Sequence, residues 1–218
     1  SKWFKEEYPE NLLIAEWFNP AQSIEAGFHV DFFCHDGKYN YASLFFNTPG
    51  RGRDGVCWFD LEGKGELKTW YELYTYQYDA VKGKGYVSMP SGNHDFTRLA
   101  AGPRDTEDQL KVAMTLFYTM PGVPFMFYGD EIGLEHQFDA PSKEGSGTGR
   151  AGTRIPMLWD SSENAGFSTA AKEDLYLPQD PDPDRRTVES QEADPNSLLN
   201  YVRELIKLRR SSDALGSD

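Results

Sequence analysis

The sequence predicts an α/β fold with parallel strands, on three observations. Four short apolar runs, each bounded by polar residues or glycine, are typical of strands that are buried on both faces. Helical patterns lie between these runs, and such alternation favours a parallel sheet. Hydrophobic residues make up 39% of the 218 residues, enough to bury a core in one large or two small domains. The four runs are residues 11–17, 27–34, 85–92 and 123–128.

Each helical pattern has its own signal. Residues 2–9 resemble the last turns of a helix and its exit loop, and residues 67–81 are rich in aromatic side chains. Residues 106–118 open with a Thr-x-x-Gln capping box and place their apolar side chains toward one side. Residues 195–210 carry an apolar stripe. The second strand follows the first after an unusually short connection.

A long excursion, at about residues 138–195, separates the fourth strand from the last helix. Residues 138–152 are flexible by composition, and residues 162–195, rich in Pro, Asp and Ser, are predicted to be neither strand nor helix. In a barrel of parallel strands, this connection lies at the C-terminal face, where substrates bind. We therefore expect the excursion to lie at the substrate-binding face.

The composition excludes several classes of protein. The 22 Lys and Arg residues against 35 Asp and Glu residues give a formal charge of −13, which argues against a nucleic-acid binder because such proteins need a basic face. An aromatic content of 14% is too high for a disordered acidic tail. No run of about 18 apolar residues exists, so no membrane-spanning helix is predicted. Cys34 and Cys57 are too few for a disulfide scaffold or a zinc site, and we expect them to be buried and reduced.

Glu16 stands at the end of the first apolar run. A carboxylate in that position loses hydration unless it is paired or protonated. Its neighbours Ala15, Trp17 and Phe18 supply apolar surface, which is the environment that a general acid needs at neutral pH. The alternative is an ion pair that caps the strand.

Asn93, His94 and Asp95 follow the third run. If His94 and Arg98 face Asp95, both stabilise its negative charge. A charged carboxylate near a protonated glutamic acid is the division of labour used at an oxocarbenium-like transition state. The alternative is a turn in which Asn93 and Asp95 cap the following helix.

Five segments of the chain carry motifs whose order and spacing are specific. They are IAEW at 14–17, SGNHD at 91–95 with Arg98, PGVPFMFYGDEIG at 121–133, RIPMLWD at 154–160 and NAGF at 164–167. The first three resemble the fifth, seventh and eighth barrel strands of glycoside hydrolase family 13, the α-amylase family. The last two are similar to the segment after strand eight in oligosaccharide-acting members, such as oligo-1,6-glucosidases, α-glucosidases and trehalose synthases. The resemblance implies approximately the second half, strands five to eight, of a TIM (β/α)8 barrel.

The same resemblance implies a retaining mechanism on the α-glucosidic bonds of oligosaccharides, by hydrolysis or by transfer. Glu16 matches the general acid/base, and Asp95 matches the second carboxylate, which stabilises the transition state. His94 matches a residue that hydrogen-bonds sugar hydroxyls. Arg154 is a candidate to clamp a sugar hydroxyl or to pair with the acidic excursion, and Trp159 is a candidate to stack on a sugar ring. No cofactor is expected and no metal ligand is assigned, while calcium stays open.

The chain departs from the family at the nucleophile. The family places an Asp at the end of the fourth barrel strand, and residues 1–15 contain no such segment. Residues 1–218 are therefore expected to be the C-terminal half of a catalytic barrel, inactive alone, with the N-terminal half as its missing partner. The alternative is a non-catalytic half-barrel that serves binding or assembly. Open sheet edges predict possible self-association.

The acids Asp31, Asp130 and Glu131 lie outside the roles assigned above. Asp31 lies in the strand-six position, where alternation allows its side chain to point into the barrel or toward the outer helices, and it receives no role. Asp130 and Glu131 are expected to cap a helix rather than to hold a cation. No signal peptide is recognised at Ser1, which favours a cytoplasmic location, and the true N-terminus is expected to lie upstream.

Overall fold

Four parallel strands form one sheet in the computed structural model. The residues that the structure describes are 2–34, 44, 58–59, 67–102, 104–142 and 150–216. Their strands are β1 (Ile14–Ala15), β2 (Val30–Phe32), β3 (Tyr86–Pro90) and β4 (Val123–Phe125). The strands pair in chain order, with Ile14 beside Val30, Val30 beside Tyr86 and Ser88 beside Val123. Each strand lies inside one predicted apolar run, so the parallel α/β sheet is confirmed.

The predicted helices are also found. The helices of the described residues are α1 (Lys2–Glu7), α2 (Pro20–Glu25), α3 (Leu67–Val81), α4 (Glu107–Thr119), α5 (Arg150–Thr153), α6 (Val188–Ala193), α7 (Leu198–Ser211) and α8 (Asp213–Gly216), with 3-10 turns at Asp130–Ile132, Glu163–Gly166 and Lys172–Asp174. The capping box of α4 is confirmed, because Thr106 Oγ1 accepts the N–H of Gln109 at 3.4 Å and Gln109 Oε1 accepts the N–H of Thr106 at 3.3 Å. The bounds of α3 agree with the prediction.

Besides the four-residue helices α5 and α8, two short helices lie where the sequence predicted none. The short connection after β1 contains α2, which Asn19 caps by accepting the N–H of Gln22 at 3.2 Å. Inside the excursion, Thr187 caps α6, and the Ser190 side chain returns the bond. Both helices have only six residues. They are too short to display an apolar stripe, so only the caps and Pro20 mark them in the sequence.

The main hydrophobic core lies between the sheet and the helices α3, α4 and α7. The rings of Trp70 and Tyr74 on α3 stack at 5.3 Å, and Leu110 of α4 is fully buried. A second cluster binds the excursion to the rest of the fold; its members are Ile132, Leu134, Ile155, Met157, Leu158, Ala165 and Leu199. Cys34 is buried as expected, whereas Cys57 lies outside the described residues. None of the helices in the described ranges is long and apolar enough to cross a membrane.

The sheet also determines where polar side chains can meet. In a parallel sheet all carboxyl ends lie along one edge, and ligands bind in the crevice outside that edge. Glu16 follows β1 directly, and His94 comes four residues after the end of β3. The register therefore brings these two side chains to the same edge although β2 lies between their strands.

Candidate active site

Glu16, His94 and Asp95 form one cluster at the carboxyl edge of the sheet. His94 Nε2 lies 3.7 Å from Glu16 Oε1 and 3.4 Å from Asp95 Oδ1. One ligand atom from each of the three residues lies within 4.8 Å of the others. Their side chains are 47%, 48% and 33% exposed, in the order Glu16, His94, Asp95. The structure thus places two carboxylates on either side of an imidazole, open to solvent.

A cavity of about 220 Å³ lies beside this cluster. Glu16, Asn93 and His94 supply its polar groups. The other lining residues are mainly apolar: Phe32, Pro90, Gly92, Phe125, Met126 and Phe127. A few convergent polar groups on an apolar wall are typical of a small-molecule site.

Two arginines contact Asp95: Arg150 is the first residue of α5, and Arg154 directly follows that helix. Arg150 Nε donates to Asp95 Oδ1 at 2.7 Å, and Arg154 NH2 lies 3.5 Å from the same oxygen. Arg154 Nε also donates to the backbone oxygen of His94 at 3.0 Å. Of the two residues considered beside Asp95, only His94 lies next to it, because the guanidinium of Arg98 pairs with Asp130 instead. The positive charge beside Asp95 comes from a segment about sixty residues downstream.

Asn93 shapes the turn that carries the cluster. Its Oδ1 accepts the N–H of Asp95 at 2.8 Å and that of Phe96 at 3.0 Å. Thr153 Oγ1 donates to the backbone oxygen of Asn93 at 3.1 Å, which ties the turn to α5. The alternative of a structural turn is therefore correct for Asn93, while no helix follows that Asp95 would cap.

Glu16 is more exposed to solvent than its apolar neighbours in the sequence predicted. Trp17 is 63% exposed, and its indole donates to Gln22 Oε1 at 2.6 Å instead of covering the carboxylate. The ring of Phe18 faces that of Phe96 at 6.5 Å. The apolar surroundings expected from Trp17 and Phe18 therefore do not enclose Glu16 in this structure.

Asp31 turns toward the connection between β1 and α2, which answers the question that strand alternation left open. Its carboxylate is fully buried and accepts the N–H groups of Trp17, Phe18 and Asn19. It is therefore a fixed part of the loop that follows Glu16.

Arg98 and Asp130 form a second polar centre, which sequence reasoning missed. Their side chains are both fully buried, and Arg98 NH1 lies 3.2 Å from Asp130 Oδ1. The guanidinium also donates to the backbone oxygen of Tyr128 at 2.7 Å, and its carbon lies 4.8 Å and 4.6 Å from the ring centres of Phe127 and Tyr128. Ser91 donates to Asp130 Oδ2 at 2.6 Å. Burial raises the pKa of Asp130 to about 6, against the opposing effect of Arg98.

Trp159 is the one candidate that contacts neither the cluster nor the cavity among the residues that the structure describes. Trp159 does not line the cavity; it is half-exposed, and its backbone forms hydrogen bonds with Ala165 and Glu189 of the excursion.

The cluster also contains donors for a metal ion, because one histidine and two carboxylates can bind a divalent ion. However, Arg150 and Arg154 already contact Asp95 Oδ1, the oxygen that lies 3.4 Å from His94.

Comparisons with known proteins identify the family. A family model described as the α-amylase catalytic domain matches residues 4–218. Trehalose synthase/amylase TreS of Mycobacterium tuberculosis (strain CDC 1551 / Oshkosh) is 36% identical over 121 residues, which cover 54% of this chain and 19% of that protein. Oligo-1,6-glucosidase of Parageobacillus thermoglucosidasius is 26% identical over 189 residues, which cover 70% of this chain and 33% of that protein.

A solved structure gives the same result for the fold. Trehalulose synthase MutB from Pseudomonas mesoacidophila MX-45 superposes with a TM-score of 0.56 at 25% identity, over 68% of this chain and 32% of that one. The chain thus spans a fifth to a third of the length of these relatives. The parallel sheet and this likeness together support an α/β fold of barrel type. By sequence and by structure, the chain belongs to the α-amylase family of glycoside hydrolases.

Proposed function

We propose that this chain forms strands five to eight of the catalytic barrel of a retaining glycoside hydrolase or transglycosylase that acts on α-glucosidic bonds of oligosaccharides. In this proposal residues 1–218 are one half-barrel, with the excursion at about 138–195 beside its site. One observation carries the proposal: the carboxylates of Glu16 and Asp95 approach to within 4.8 Å at the mouth of the cavity. In retaining glycosidases the pair about 5 Å apart is the acid/base and the nucleophile. Glu16 and Asp95 are proposed instead as the acid/base and the stabilising carboxylate, which have to meet at the same sugar.

The exposure of the cluster suits the two roles. Glu16 is open to solvent, so it can donate a proton to the leaving oxygen and later take one from an incoming water. Asp95 is fixed by Arg150 and by the Asn93 turn, and a fixed negative charge stabilises the oxocarbenium-like transition state without reorganisation. His94 lies between the two carboxylates, where its imidazole can hydrogen-bond a sugar hydroxyl.

Two further residues complete the proposed substrate site. Arg154 is bonded to the His94 backbone and lies near Asp95, so its guanidinium is placed to meet a sugar hydroxyl at the same mouth. Trp159 offers a half-exposed ring on the excursion, on which a second sugar of an oligosaccharide can stack. The relatives, a trehalose synthase/amylase and an oligo-1,6-glucosidase, favour a substrate of two or more α-linked glucose units.

The nucleophile is proposed to come from the strand that precedes Glu16 in a complete barrel. Among the described acids, Asp31 and Asp130 are buried and fully engaged, and neither can attack a sugar. Asp36, a third candidate, lies outside the described residues. We therefore expect no turnover from the 218-residue chain alone, and full activity only with an N-terminal half-barrel. Leu12, just before β1, and Ile14, in β1, are exposed. Their exposure favours the second candidate function, a half-barrel that serves assembly alone.

The roles of Glu16 and Asp95 are tested after assembly with the N-terminal half of the same protein. Glu16→Gln removes the acid proton, so it should abolish hydrolysis of maltose or isomaltose but spare the glycosylation step with p-nitrophenyl α-glucoside, whose leaving group needs little protonation. Asp95→Asn removes the stabilising charge and should abolish activity on both substrates. Azide should partly rescue Glu16→Gln, because it attacks the trapped intermediate without a general base.

Three outcomes would contradict the proposed function. Equal losses for both variants on activated and unactivated substrates, with no azide rescue, would show that Glu16 is a structural carboxylate. Ordinary turnover by the unassembled chain would show that a nucleophile lies within residues 1–218. An assembled wild-type protein that never turns over would favour the assembly module.

A further inference from the structure

We propose that Asp31 is a positioning residue that holds Glu16 in place for proton transfer, an inference that rests on the function proposed above. Asp31 is a fully buried acid to which the reaction assigns nothing. Its carboxylate accepts hydrogen bonds from three successive backbone N–H groups of the loop that begins immediately after Glu16.

The two carboxylate oxygens of Asp31 accept hydrogen bonds from different residues of the loop. Oδ1 accepts the N–H of Trp17 at 3.1 Å and that of Phe18 at 3.3 Å. Oδ2 accepts the N–H of Asn19 at 3.0 Å and the hydroxyl of Ser23 at 2.9 Å. Its own strand adds the N–H of Phe32, 2.9 Å from Oδ1. Five donors therefore converge on one carboxylate.

Only a carboxylate suits this arrangement. An ionised Asp accepts at both oxygens and donates nowhere, whereas Asn would place an NH₂ group among the donors of the loop. Hydrogen bonds to a charged acceptor are about twice as strong as neutral ones. Burial of a charge is costly unless such bonds replace the lost water, and the five donors around Asp31 do so.

The loop needs this hold because β1 ends one residue before Glu16. Past Ala15 the sheet no longer fixes the chain, and Phe18 adopts φ +65°, a left-handed conformation that is unfavourable for a bulky residue. The Trp17 N–H is joined directly to the carbonyl carbon of Glu16, so the bond to Asp31 fixes the peptide that carries the acid. An error of about 1 Å in the position of a catalytic group can cost about 100-fold in rate.

The downstream end of the loop has a separate anchor. Gln77 of α3 accepts the N–H of Ala21 at 2.7 Å and donates to Asn19 Oδ1 at 3.3 Å. Loss of the Asp31 charge should therefore release the Glu16 end of the loop while α2 stays attached to α3.

The hold is tested first on the 218-residue chain, without any activity. In hydrogen-exchange NMR, Asp31→Asn should reduce the protection of the Trp17, Phe18 and Asn19 amides at least tenfold, with amides of α4 unchanged. The matched control is Asp180→Asn, since Asp180 is also a buried aspartate and accepts the N–H of Asp182 at 3.0 Å. This control should leave the three amides unchanged. Unchanged protection in Asp31→Asn would overturn the proposal.

A milder variant decides the matter if Asp31→Asn does not fold. Ser23→Ala removes one donor to Oδ2 and leaves the bonds to Oδ1 intact. Protection should then fall at Asn19, which shares Oδ2, and persist at Trp17, which bonds to Oδ1. Equal behaviour of the two amides would contradict the division between the oxygens, and with it the proposal.

The link to Glu16 is tested in the assembled enzyme. Asp31→Asn should lower the glycosylation rate on maltose about 10- to 100-fold, and the rate on p-nitrophenyl α-glucoside far less, because the nitrophenolate leaves without help from the acid. In the Glu16→Gln background the same substitution should add nothing, since both act through one group. Equal losses on both substrates, or additive losses, would mean a merely structural role and overturn the proposal. An assembled protein without turnover would refute the proposed function, while the exchange result would still decide whether Asp31 holds the loop.

Discussion

Removal of the Arg98 guanidinium should destabilise the chain in a way that depends on pH. In Arg98→Met, Asp130 keeps only the Ser91 hydroxyl, and its carboxylate stays fully buried. Removing one partner of a buried ion pair typically costs about 3–5 kcal/mol. Part of this is independent of charge on Asp130, because the Tyr128 carbonyl also loses its donor, which costs about 1 kcal/mol. We expect a loss of about 4 kcal/mol in the free energy of unfolding at pH 8.

The direction of the pH effect follows from the pKa of Asp130. Burial raises this pKa to about 6, while Arg98 lowers it. Without Arg98 the pKa rises further, so the folded variant keeps its proton to a higher pH than the folded wild type. The pKa of Glu131 responds in the same direction, because Arg98 also opposes its rise. As the pH falls from 8 to 5, the variant therefore recovers stability relative to wild type. The loss should shrink to about 2 kcal/mol, the part from hydrogen bond and ring contacts.

Urea unfolding at pH 8 and pH 5 measures both values. The matched control is Arg203→Met, whose partner Glu192 lies 2.6 Å away in an exposed pair. Such a pair contributes under about 1 kcal/mol, and its loss should hardly change between the two pH values. The double variant Arg98→Met with Asp130→Asn should recover part of the loss, because no buried charge remains. A loss at pH 8 no larger than that of the control, or a loss that grows at pH 5, would refute the reasoning.

Two further predictions concern the backbone and a buried base. Gly122→Ala should lower the free energy of unfolding in urea by well over 2 kcal/mol, since φ is +99° and a Cβ would lie 2.5 Å from the Val87 backbone oxygen. The control Gly83→Ala, at φ +73° with no atom within 4 Å of the Cβ, should lower it by only about 1 kcal/mol. Equal losses for the two variants would contradict the steric argument. Burial lowers the pKa of His136 to about 4, so the folded state binds fewer protons than the unfolded state between pH 6.5 and 4, and stability falls over that range on acidification. An NMR titration should find the His136 ring neutral above pH 5, and a midpoint near 6.5 would contradict the burial.

The sequence predicted the sheet well because its signals are local. Each strand lies in an apolar run bounded by polar residues, and the helix α4 begins at its capping box. The meeting of Glu16 with His94 followed from one topological rule, that parallel strands end at the same edge. That rule needs no knowledge of side-chain packing.

The partners of the charged residues were not predictable in the same way. Arg98 lies three residues from Asp95 in sequence, yet it pairs with Asp130. The reason is that these two residues lie in the segments that follow β3 and β4, which are neighbouring strands of the sheet. Strand alternation allowed two directions for Asp31, and only the fold of the following loop selects one. Glu16 has apolar neighbours in sequence, but Trp17 turns to solvent. Proximity in sequence therefore did not predict side-chain partners in loops, where the fold determines whether a side chain is packed or exposed.

The bonds from the Glu16 loop to Asp31 have a consequence for how this region tolerates mutation. All three use backbone N–H groups, which every amino acid except proline possesses. A change of the Trp17 side chain, which is exposed beside the candidate acid, therefore leaves these three bonds in place and removes only the indole bond to Gln22. Placement of the acid is encoded at position 31, and the adjoining surface is encoded at position 17. Every substitution at position 17 except proline should therefore keep the backbone hydrogen bond to Asp31.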